Sequence, residues 1–299
     1  MYYYKLYGMN VGSDLEFPQL AAIEPQSPDN LQLTIENTKM PSEIEDSERG
    51  SYAFGKDRSW LHNRTAWILV EKGKRIRYKL KEGGNPSYLL SYILGYGMAM
   101  LSLQQGKLAI HCSALRNEQG VVLIAGESGS GKSTLSAELM DRGYDLMADD
   151  MLVVQPRKGM APVAYPAFPY QKLCRNAAMD RGYDLRKLLY INEEKDKFLV
   201  PYEGEFSLEP APVRAMLILA LTREGEPQCV ELSGMEKFAA TANNLFLRKL
   251  LGKEKFAPEN GQKYLDFSAN TPIFMLVRPE GKDTLCQISR MAFECLEKL

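Results

Sequence analysis

Residues 126–134 read GESGSGKST, and this stretch constrains the fold more than any other part of the chain. The apolar run VVLIA precedes it, and LSAELM, with leucines one helical turn apart, follows it. A strand, a glycine-rich loop and a helix are therefore predicted in that order. Gly126 to Ser133 fit the pattern G-x-x-x-x-G-K-[ST] at every fixed position. We expect the chain to build an α/β fold around this loop.

The loop has the composition of a phosphate-binding site. Its glycines allow successive backbone N–H groups to turn inward, and the positive end of the helix dipole adds to the attraction for an anion. Lys132 would reach the β- and γ-phosphates of ATP, and Ser133 would offer its hydroxyl to Mg²⁺. The alternative is a glycine-rich turn that holds no ligand. The predicted nucleotide-binding residues are Gly126, Glu127, Ser128, Gly129, Ser130, Gly131, Lys132, Ser133 and Thr134.

Two adjacent carboxylates, Asp149 and Asp150, follow in the sequence MADD. They come after one short predicted helix and the strand-like YDL, and a strand that returns in this way ends near the loop. We therefore expect both carboxylates to face the γ-phosphate, where one can hold the metal and the other can accept the proton of an attacking hydroxyl. The alternative is an ordinary exposed acid pair in a turn.

His111 lies in LAIHCSAL, which we predict as the strand just before the strand of the loop. An imidazole beside Asp149 or Asp150 would orient that carboxylate and tune its pKa. The alternative is a histidine whose hydrogen bonds are satisfied in the core or at the surface. For His62, in WLHNRT, this second interpretation is the only one.

The pattern along the chain predicts two regions. Residues 1–84 are β-rich, and TAWILVEKGKRIRYKLKEG predicts two strands joined at Lys72-Gly73-Lys74. A helix is predicted from Pro86 to the stop at Gly106. Predicted strands and helices then alternate, including a helix MEKFAATANNLFLRKLLG that a capping box of Ser233 and Glu236 opens. We predict a β-rich N-terminal region over 1–84 and an α/β catalytic domain over 85–299.

Composition excludes several partners. The 37 basic and 38 acidic residues leave a formal net charge of -1, so no overall field attracts nucleic acid or an anionic membrane. The most apolar run, residues 88–103, is shorter than the roughly 20 residues that span a bilayer. No secretory signal opens the chain, and the five cysteines form no C-x-x-C pattern, so we expect free thiols and a cytoplasmic location.

Residues 109–154, AIHCSALRNEQGVVLIAGESGSGKSTLSAELMDRGYDLMADDMLVV, resemble the catalytic core of the HPr kinase/phosphorylase family of P-loop serine kinases. That family has a His on the strand before the loop, a G-[DE]-S-G-x-G-K-S loop, RG at the end of the helix, and ADD after it. All four features occur here in that order. The resemblance implies that Asp150 activates a serine hydroxyl, that Asp149 assists at the metal with Ser133, and that His111 interacts with the acid pair.

Outside this core the sequence departs from HPr kinases. The glycine-rich segment with a metal-binding Glu that they carry downstream does not occur in residues 164–200. The segments YYYKLYGMNVGSDLEFPQL, YPAFPYQKL and EEKDKFLVP are instead similar to shorter HPr-kinase-like proteins of peptide-modification systems, some of which phosphorylate a lasso-peptide precursor. This resemblance implies a peptide or protein substrate, with Lys172, Arg175, Lys195 and Lys197 as candidates for phosphate or acidic-peptide contacts.

These observations predict an ATP- and Mg²⁺-dependent kinase that transfers the γ-phosphoryl group to a serine of a peptide or protein. A small-molecule kinase is one alternative. A regulatory module that binds nucleotide, and hydrolyses it only as a timer, is another. The sequence leaves the identity of the acceptor open, and it also leaves a homo-oligomer open.

Overall fold

The computed structural model describes residues 1–127, 129–192, 196–252 and 258–299, with the backbone alone at residues 180, 192 and 259. Within these ranges helices mix with extensive sheets, which confirms the predicted α/β class. A π-helical turn occupies Ile93–Gly97, and short 3-10 turns occupy Pro28–Asn30 and Leu185–Lys187.

The strands, in chain order, are β1 (Tyr2–Leu6), β2 (Met9–Ser13), β3 (Ala21–Ala22), β4 (Leu33–Asn37), β5 (Tyr52–Ala53), β6 (Arg58–His62), β7 (Ala66–Glu71), β8 (Arg75–Leu80), β9 (Leu108–Ile110), β10 (Ser113–Asn117), β11 (Gly120–Gly126), β12 (Asp145–Ala148), β13 (Leu152–Arg157), β14 (Met160–Tyr165), β15 (Tyr170–Cys174), β16 (Leu189–Asn192), β17 (Lys197–Pro201), β18 (Ala211–Thr222), β19 (Gln228–Glu231) and β20 (Ile273–Pro279). The helices are α1 (Ser42–Glu45), α2 (Pro86–Tyr92), α3 (Met98–Gln104), α4 (Lys132–Asp141), α5 (Arg175–Asp180), α6 (Gly234–Asn243), α7 (Arg248–Leu251), α8 (Pro258–Ala269) and α9 (Leu285–Glu297).

The chain divides into two compact units, and neither is continuous in sequence. The first comprises Met1–Lys107 and Phe168–Glu203, and the second comprises Leu108–Ala167 and Gly204–Leu299. This division differs from the predicted boundary after residue 84. The helices that follow this boundary belong with the N-terminal sheet, since the Gln104 amide donates to the Val70 carbonyl oxygen at 3.1 Å. Each unit is formed by two segments that are separated in sequence, and a pattern read along the chain does not reveal which segments pack together.

The first unit contains a sheet in the order β3-β1-β2-β4-β8-β7-β6-β5 and a smaller sheet in the order β15-β17-β16. The hairpin predicted around Lys72-Gly73-Lys74 is present as β7 and β8. Lys72 and Gly73 both have positive φ, as a tight hairpin turn with right-handed strand twist requires. The predicted helix begins at Pro86, where the Asn85 side chain accepts a hydrogen bond from the Ser87 N–H at 2.9 Å.

The second unit contains a sheet in the order β12-β10-β11-β18-β14-β13-β9, and β20 pairs with β18 and with β19. β11 and β20 both run parallel to the central strand β18. β10 is antiparallel to β11, and β12 is antiparallel to β10, so β12 runs in the same direction as β11. Strands β11, β12, β18 and β20 therefore all point their carboxyl ends toward one edge of the sheet.

The segment LAIHCSAL, which we predicted as one strand, and the segment YDLMADDMLVV are each broken in the middle. LAIHCSAL forms β9 and β10 with a break at His111 and Cys112, and YDLMADDMLVV forms β12 and β13 with a break at 149–151. β12 pairs with β10, whereas β13 pairs with β9, so both segments change partner at the same level. The prediction that His111 lies within a strand is wrong, because the chain turns there.

The core of the second unit includes the apolar run that precedes the glycine-rich loop. Val121, Val122, Leu123, Ile124 and Ala125 of β11 are all fully buried. The predicted capping box of Ser233 and Glu236 opens α6. In the described ranges, no helix combines the length and the apolar character that crossing a bilayer requires.

Candidate functional site

The glycine-rich loop joins β11 to the N-terminus of α4, as the motif predicts. Gly126, Gly129 and Gly131 all have positive φ, at 134°, 82° and 108°. Added Cβ atoms would clash with the Leu219 carbonyl oxygen at Gly126 and would lie 2.7 Å from the Leu285 side chain at Gly131. Backbone conformation therefore favours glycine at both positions, and at Gly126 the close backbone oxygen requires it as well.

Gly126→Ala is expected to lower the free energy of unfolding by about 1–3 kcal/mol, since it adds a backbone clash to an unfavourable φ. Gly129→Ala is the matched control, because its added Cβ would meet nothing within 4 Å and only the unfavourable φ remains, which costs about 1–2 kcal/mol. Urea unfolding of both variants measures the difference. Equal stability of the two variants would show that the contact with Leu219 does not constrain the loop.

Hydrogen bonds within the loop fix its shape. The Ser130 hydroxyl donates to the Glu127 carbonyl oxygen at 2.8 Å, and the Ser130 N–H donates to the same oxygen at 3.3 Å. The Lys132 ammonium donates to the carbonyl oxygens of Gly126 at 2.7 Å and Glu127 at 2.8 Å. Ser130 is buried and structural in this conformation, whereas Lys132 is held with its positive charge against the loop.

Three further predicted loop residues present exposed side chains. Ser133 and Thr134 lie exposed in the first turn of α4, and the Glu127 side chain is also exposed. Ser128 lies outside the described residues. The hydroxyl of Ser133 and the N–H groups at the start of α4 are therefore the groups of this turn that can meet an anion or a metal.

The acid pair lies at the same edge of the sheet as the loop. Ala114 of β10 pairs with Ala148 of β12, and Ser113 pairs with Ile124 of β11. One strand separates β12 from β11, so the two strands lie about 10 Å apart. Asp149 and Asp150 follow β12 directly, and their backbone is thus level with the end of β11.

Each carboxylate of the pair has a defined neighbour. The Ser113 hydroxyl donates to Asp149 Oδ1 at 2.6 Å. His111 Nδ1 lies 2.8 Å from the Asp150 carbonyl oxygen and 3.7 Å from Asp150 Oδ1. A carbonyl oxygen only accepts, so this contact places a proton on Nδ1. His111 therefore binds the backbone of Asp150 more closely than its carboxylate.

The backbone of Asp150 is in the left-handed region, with φ of 73°. Aspartate adopts this conformation more readily than most residues, although it is still uncommon outside glycine. It ends the ladder between β12 and β10 and turns the side chain, which is 18% exposed, toward His111. The hydrogen bond from His111 to the Asp150 carbonyl oxygen stabilises this turn.

The buried Cys112 thiol lies close to the charges of both parts of the site. Burial raises its pKa most, and the negative charges of Asp149 and Asp150 raise it further, while the positive charge of Lys132 acts in the opposite direction. Electrostatic effects of this kind require charges close to the thiol. The charges of the loop lysine and of both carboxylates therefore all act on this one thiol.

Two arginines that the sequence analysis missed contact the loop. Arg278, near the end of β20, donates from Nε to the Ser130 carbonyl oxygen at 3.0 Å and from Nη2 to that of Gly129 at 3.4 Å. Arg248 Nη2 lies 4.0 Å from Glu127 Oε1. Arg278 could have been found, because it follows the apolar run IFMLV, which has the composition of a strand. For Arg248 no such signal exists.

The predicted helix MEKFAATANNLFLRKLLG is interrupted between α6 and α7, and the interruption supports His111. The His111 N–H donates to the Asn244 carbonyl oxygen at 2.7 Å, and the Phe246 N–H donates to that of Ala109 at 2.9 Å. The Phe246 ring lies edge-on to the imidazole, with centroids 5.9 Å apart. Pairing with the edge of β9 satisfies backbone groups that a continuous helix would have bonded internally.

The basic residues proposed for phosphate or acidic-peptide contacts belong to the first unit. Arg175 forms a bidentate ion pair with Asp196, at 2.6 and 2.8 Å. Lys172 and Lys197 are partly exposed on β15 and β17, and Lys195 lies outside the described residues. Their contacts to a substrate stay predictions.

Neither protein-family models nor curated protein sequences give a match to this chain. Among solved structures, the HPr(Ser) kinase/phosphatase from Coxiella burnetii aligns with 64% of this chain and 97% of its own, at 14% identity and a TM-score of 0.32. Its name is that of the family that residues 109–154 resemble. A similarity of this extent establishes neither a shared fold nor a shared activity, so a function has to follow from the residues themselves.

Proposed function

We propose that the chain is an ATP-dependent kinase that transfers the γ-phosphoryl group to a serine hydroxyl of a peptide or protein. One observation supports this most: Asp149 and Asp150 directly follow β12, at the edge of the sheet where β11 leads into the loop that carries Lys132. A module that only binds nucleotide needs the loop. A kinase also needs a carboxylate near it that can accept a proton.

The loop would hold the phosphates of ATP. Backbone N–H groups at the start of α4 point toward an anion, and the helix dipole favours negative charge there. Lys132 would neutralise charge on the β- and γ-phosphates from its position against the carbonyl oxygens of Gly126 and Glu127. Arg278 holds the outer part of the loop through its carbonyl oxygens, so its role is to shape the cradle.

Ser133 and Asp149 would hold Mg²⁺. A hydroxyl and a carboxylate are hard oxygen ligands of the kind that Mg²⁺ prefers, and this ion usually takes one or two protein ligands together with phosphate oxygens and water. The described residues contain no group of three or more His, Cys, Asp or Glu that could hold a metal without such help. Bound ATP and Mg²⁺ supply the transferable phosphoryl group and neutralise its charge. Ser113 keeps Asp149 oriented through its hydrogen bond.

Asp150 would accept the proton of the attacking serine hydroxyl. Its carboxylate is largely buried, and its backbone is fixed in the left-handed conformation by the Nδ1–H of His111. His111 thus acts as a positioning residue, because its hydrogen bond determines where the Asp150 carboxylate lies. Correct placement of a general base contributes through proximity as well as through proton transfer.

A peptide or protein acceptor follows from the resemblance of the front of the chain and of residues 164–200 to kinases of peptide-modification systems, and a lasso-peptide precursor is one such acceptor.

Incubation with ATP labelled in the γ position, Mg²⁺ and serine-containing peptides tests this proposal, with alanine-substituted peptides as controls. Label on serine supports the proposal. Label released only as inorganic phosphate would indicate a nucleotide-hydrolysing regulator, and label found only on small alcohols would indicate a small-molecule kinase.

A further inference from the structure

The first unit contains a group of cations and N–H donors that the proposed function does not use. They lie where β6, β7 and β8 approach the turn at residues 63–65, and we refer to them as the β6–β8 cluster. Its members are Arg49, His62, Asn63, Trp67 and Lys81.

Trp67 forms the centre of the β6–β8 cluster. Its ring stacks on the imidazole of His62, the opposite residue on β6, with centroids 4.9 Å apart and an angle of 26° between the planes. On the other side, the Lys81 ammonium lies 4.7 Å and the Lys79 ammonium 5.7 Å from the Trp67 ring centroid. An aromatic ring is therefore placed directly beside cations.

Positive charge in the β6–β8 cluster is not fully compensated. Lys79 pairs with Glu45, but within the described part of the chain neither Arg49 nor Lys81 forms an ion pair. Burial lowers the pKa of Lys81, and the charge of Arg49 lowers it further. The pKa of His62 is lowered by burial and then by Lys81. An anion beside these groups would relieve both effects.

The β6–β8 cluster also contains buried N–H groups that lack an acceptor. Trp67 Nε1 and Asn63 Nδ2 are buried without a hydrogen-bond partner among the described atoms. The Asn63 carbonyl oxygen is used instead to accept from the N–H groups of Thr65 and Ala66. An unsatisfied buried donor costs about 1–3 kcal/mol, so acceptor oxygens from a ligand would be stabilised here.

We propose that the β6–β8 cluster binds an acidic segment of the acceptor peptide. Carboxylate oxygens would accept from the N–H groups of Trp67 and Asn63 and lie beside Lys81 and Arg49. This inference rests on the proposed function in one respect: the acidic segment is taken to be part of the peptide that the kinase phosphorylates. Several carboxylates along a peptide match cations that are spread over this cluster. The cluster contains neither a glycine-rich nest nor the start of a helix, which favour a compact phosphate.

Nuclear magnetic resonance of the tryptophan indole N–H groups tests this inference directly. The chain has two tryptophans, so Trp60→Phe leaves Trp67 as the one source of an indole signal. Titration of the ¹⁵N-labelled full chain with a tetraglutamate peptide, without nucleotide, is expected to move the Trp67 signal in a saturable way. A tetraglutamine peptide is expected to leave it unchanged. Failure of tetraglutamate to move the signal would overturn the inference.

Charge reversal then identifies the cations involved. Lys81→Glu is expected to weaken tetraglutamate binding about tenfold, which corresponds to about 1.4 kcal/mol. Lys74→Glu is the matched control, since it makes the same charge change on the exposed turn at the other end of the β7–β8 hairpin, and it should change binding less than about twofold. If Lys81→Glu does not fold, Lys81→Gln is expected to weaken binding about threefold. Equal effects at Lys81 and Lys74 would show that only net charge matters and would sink the assignment.

Inorganic phosphate, titrated at the same total anionic charge, separates the peptide from a compact anion. A shift of Trp67 as large as that with tetraglutamate would overturn the acidic-peptide assignment. Because nucleotide is left out of all these titrations, they do not depend on phosphoryl transfer. A chain that binds tetraglutamate but transfers no label refutes the kinase proposal alone, and a chain that transfers label without binding tetraglutamate refutes this inference alone.

Discussion

Asp150→Asn is expected to lower the rate of phosphoryl transfer about 10²- to 10⁴-fold, while nucleotide affinity stays within about twofold. Asparagine has the shape of aspartate, tolerates the positive φ at this position and leaves the backbone carbonyl oxygen that His111 binds. The substitution therefore removes the proton acceptor and little else. Single-turnover transfer of labelled phosphate, together with a nucleotide titration, measures the two quantities separately.

Asp149→Asn is the matched control for this substitution. It makes the same chemical change one residue earlier, on the side chain that accepts a hydrogen bond from Ser113. The transfer rate of this variant should fall mainly because it needs a higher Mg²⁺ concentration. Normal transfer by the Asp150→Asn variant would falsify the assignment of the base. Loss of nucleotide binding in that variant would instead mean that the acid pair is part of the phosphate cradle.

Lys132→Ala is expected to weaken both nucleotide binding and transfer. Removal of a charged donor costs about 1.5–3 kcal/mol, which corresponds to about 10- to 100-fold in affinity. Transfer should fall further, by about 10²- to 10³-fold at saturating nucleotide, because charge builds up on the phosphoryl oxygens as it moves. Isothermal titration with ATP and saturated transfer rates check the two expectations.

Lys158→Ala provides the comparison for Lys132→Ala, since Lys158 is exposed in the turn between β13 and β14 of the same unit. It should leave both quantities unchanged. If the alanine at 132 affects affinity but not the saturated rate, the ammonium only binds the ground state. If it affects neither, the loop does not hold the triphosphate in the way proposed.

Much of the fold could be predicted because local signals and tertiary structure agree. The strand, loop and helix around residues 126–134 follow from the glycine positions, and the hairpin at Lys72 and Gly73 follows from a glycine between two strand-like runs. The capping box at Ser233 and Glu236 is a local hydrogen-bond pattern, and it was likewise readable. Each of these features depends on neighbours close in sequence.

The candidate site could be predicted only in part, because its remaining features depend on contacts between distant segments. The breaks at His111 and Asp150 arise where two pairs of strands exchange partners, and apolar runs through LAIHCSAL and ADDMLVV give no sign of this. The contact of Arg248 with the loop region depends on the interrupted helix after α6. The direction in which His111 acts, toward a backbone carbonyl oxygen, also appears only in three dimensions.

Residues 168–203 belong to the unit that otherwise contains residues 1–107, although the chain reaches them only after residues 108–167 of the other unit. A gene fragment cut after residue 84 or 107 would therefore lack residues 168–203, which belong to the same unit. To produce the second unit alone, residues 108–167 and 204–299 have to be expressed as one chain, with a short linker between residues 167 and 204.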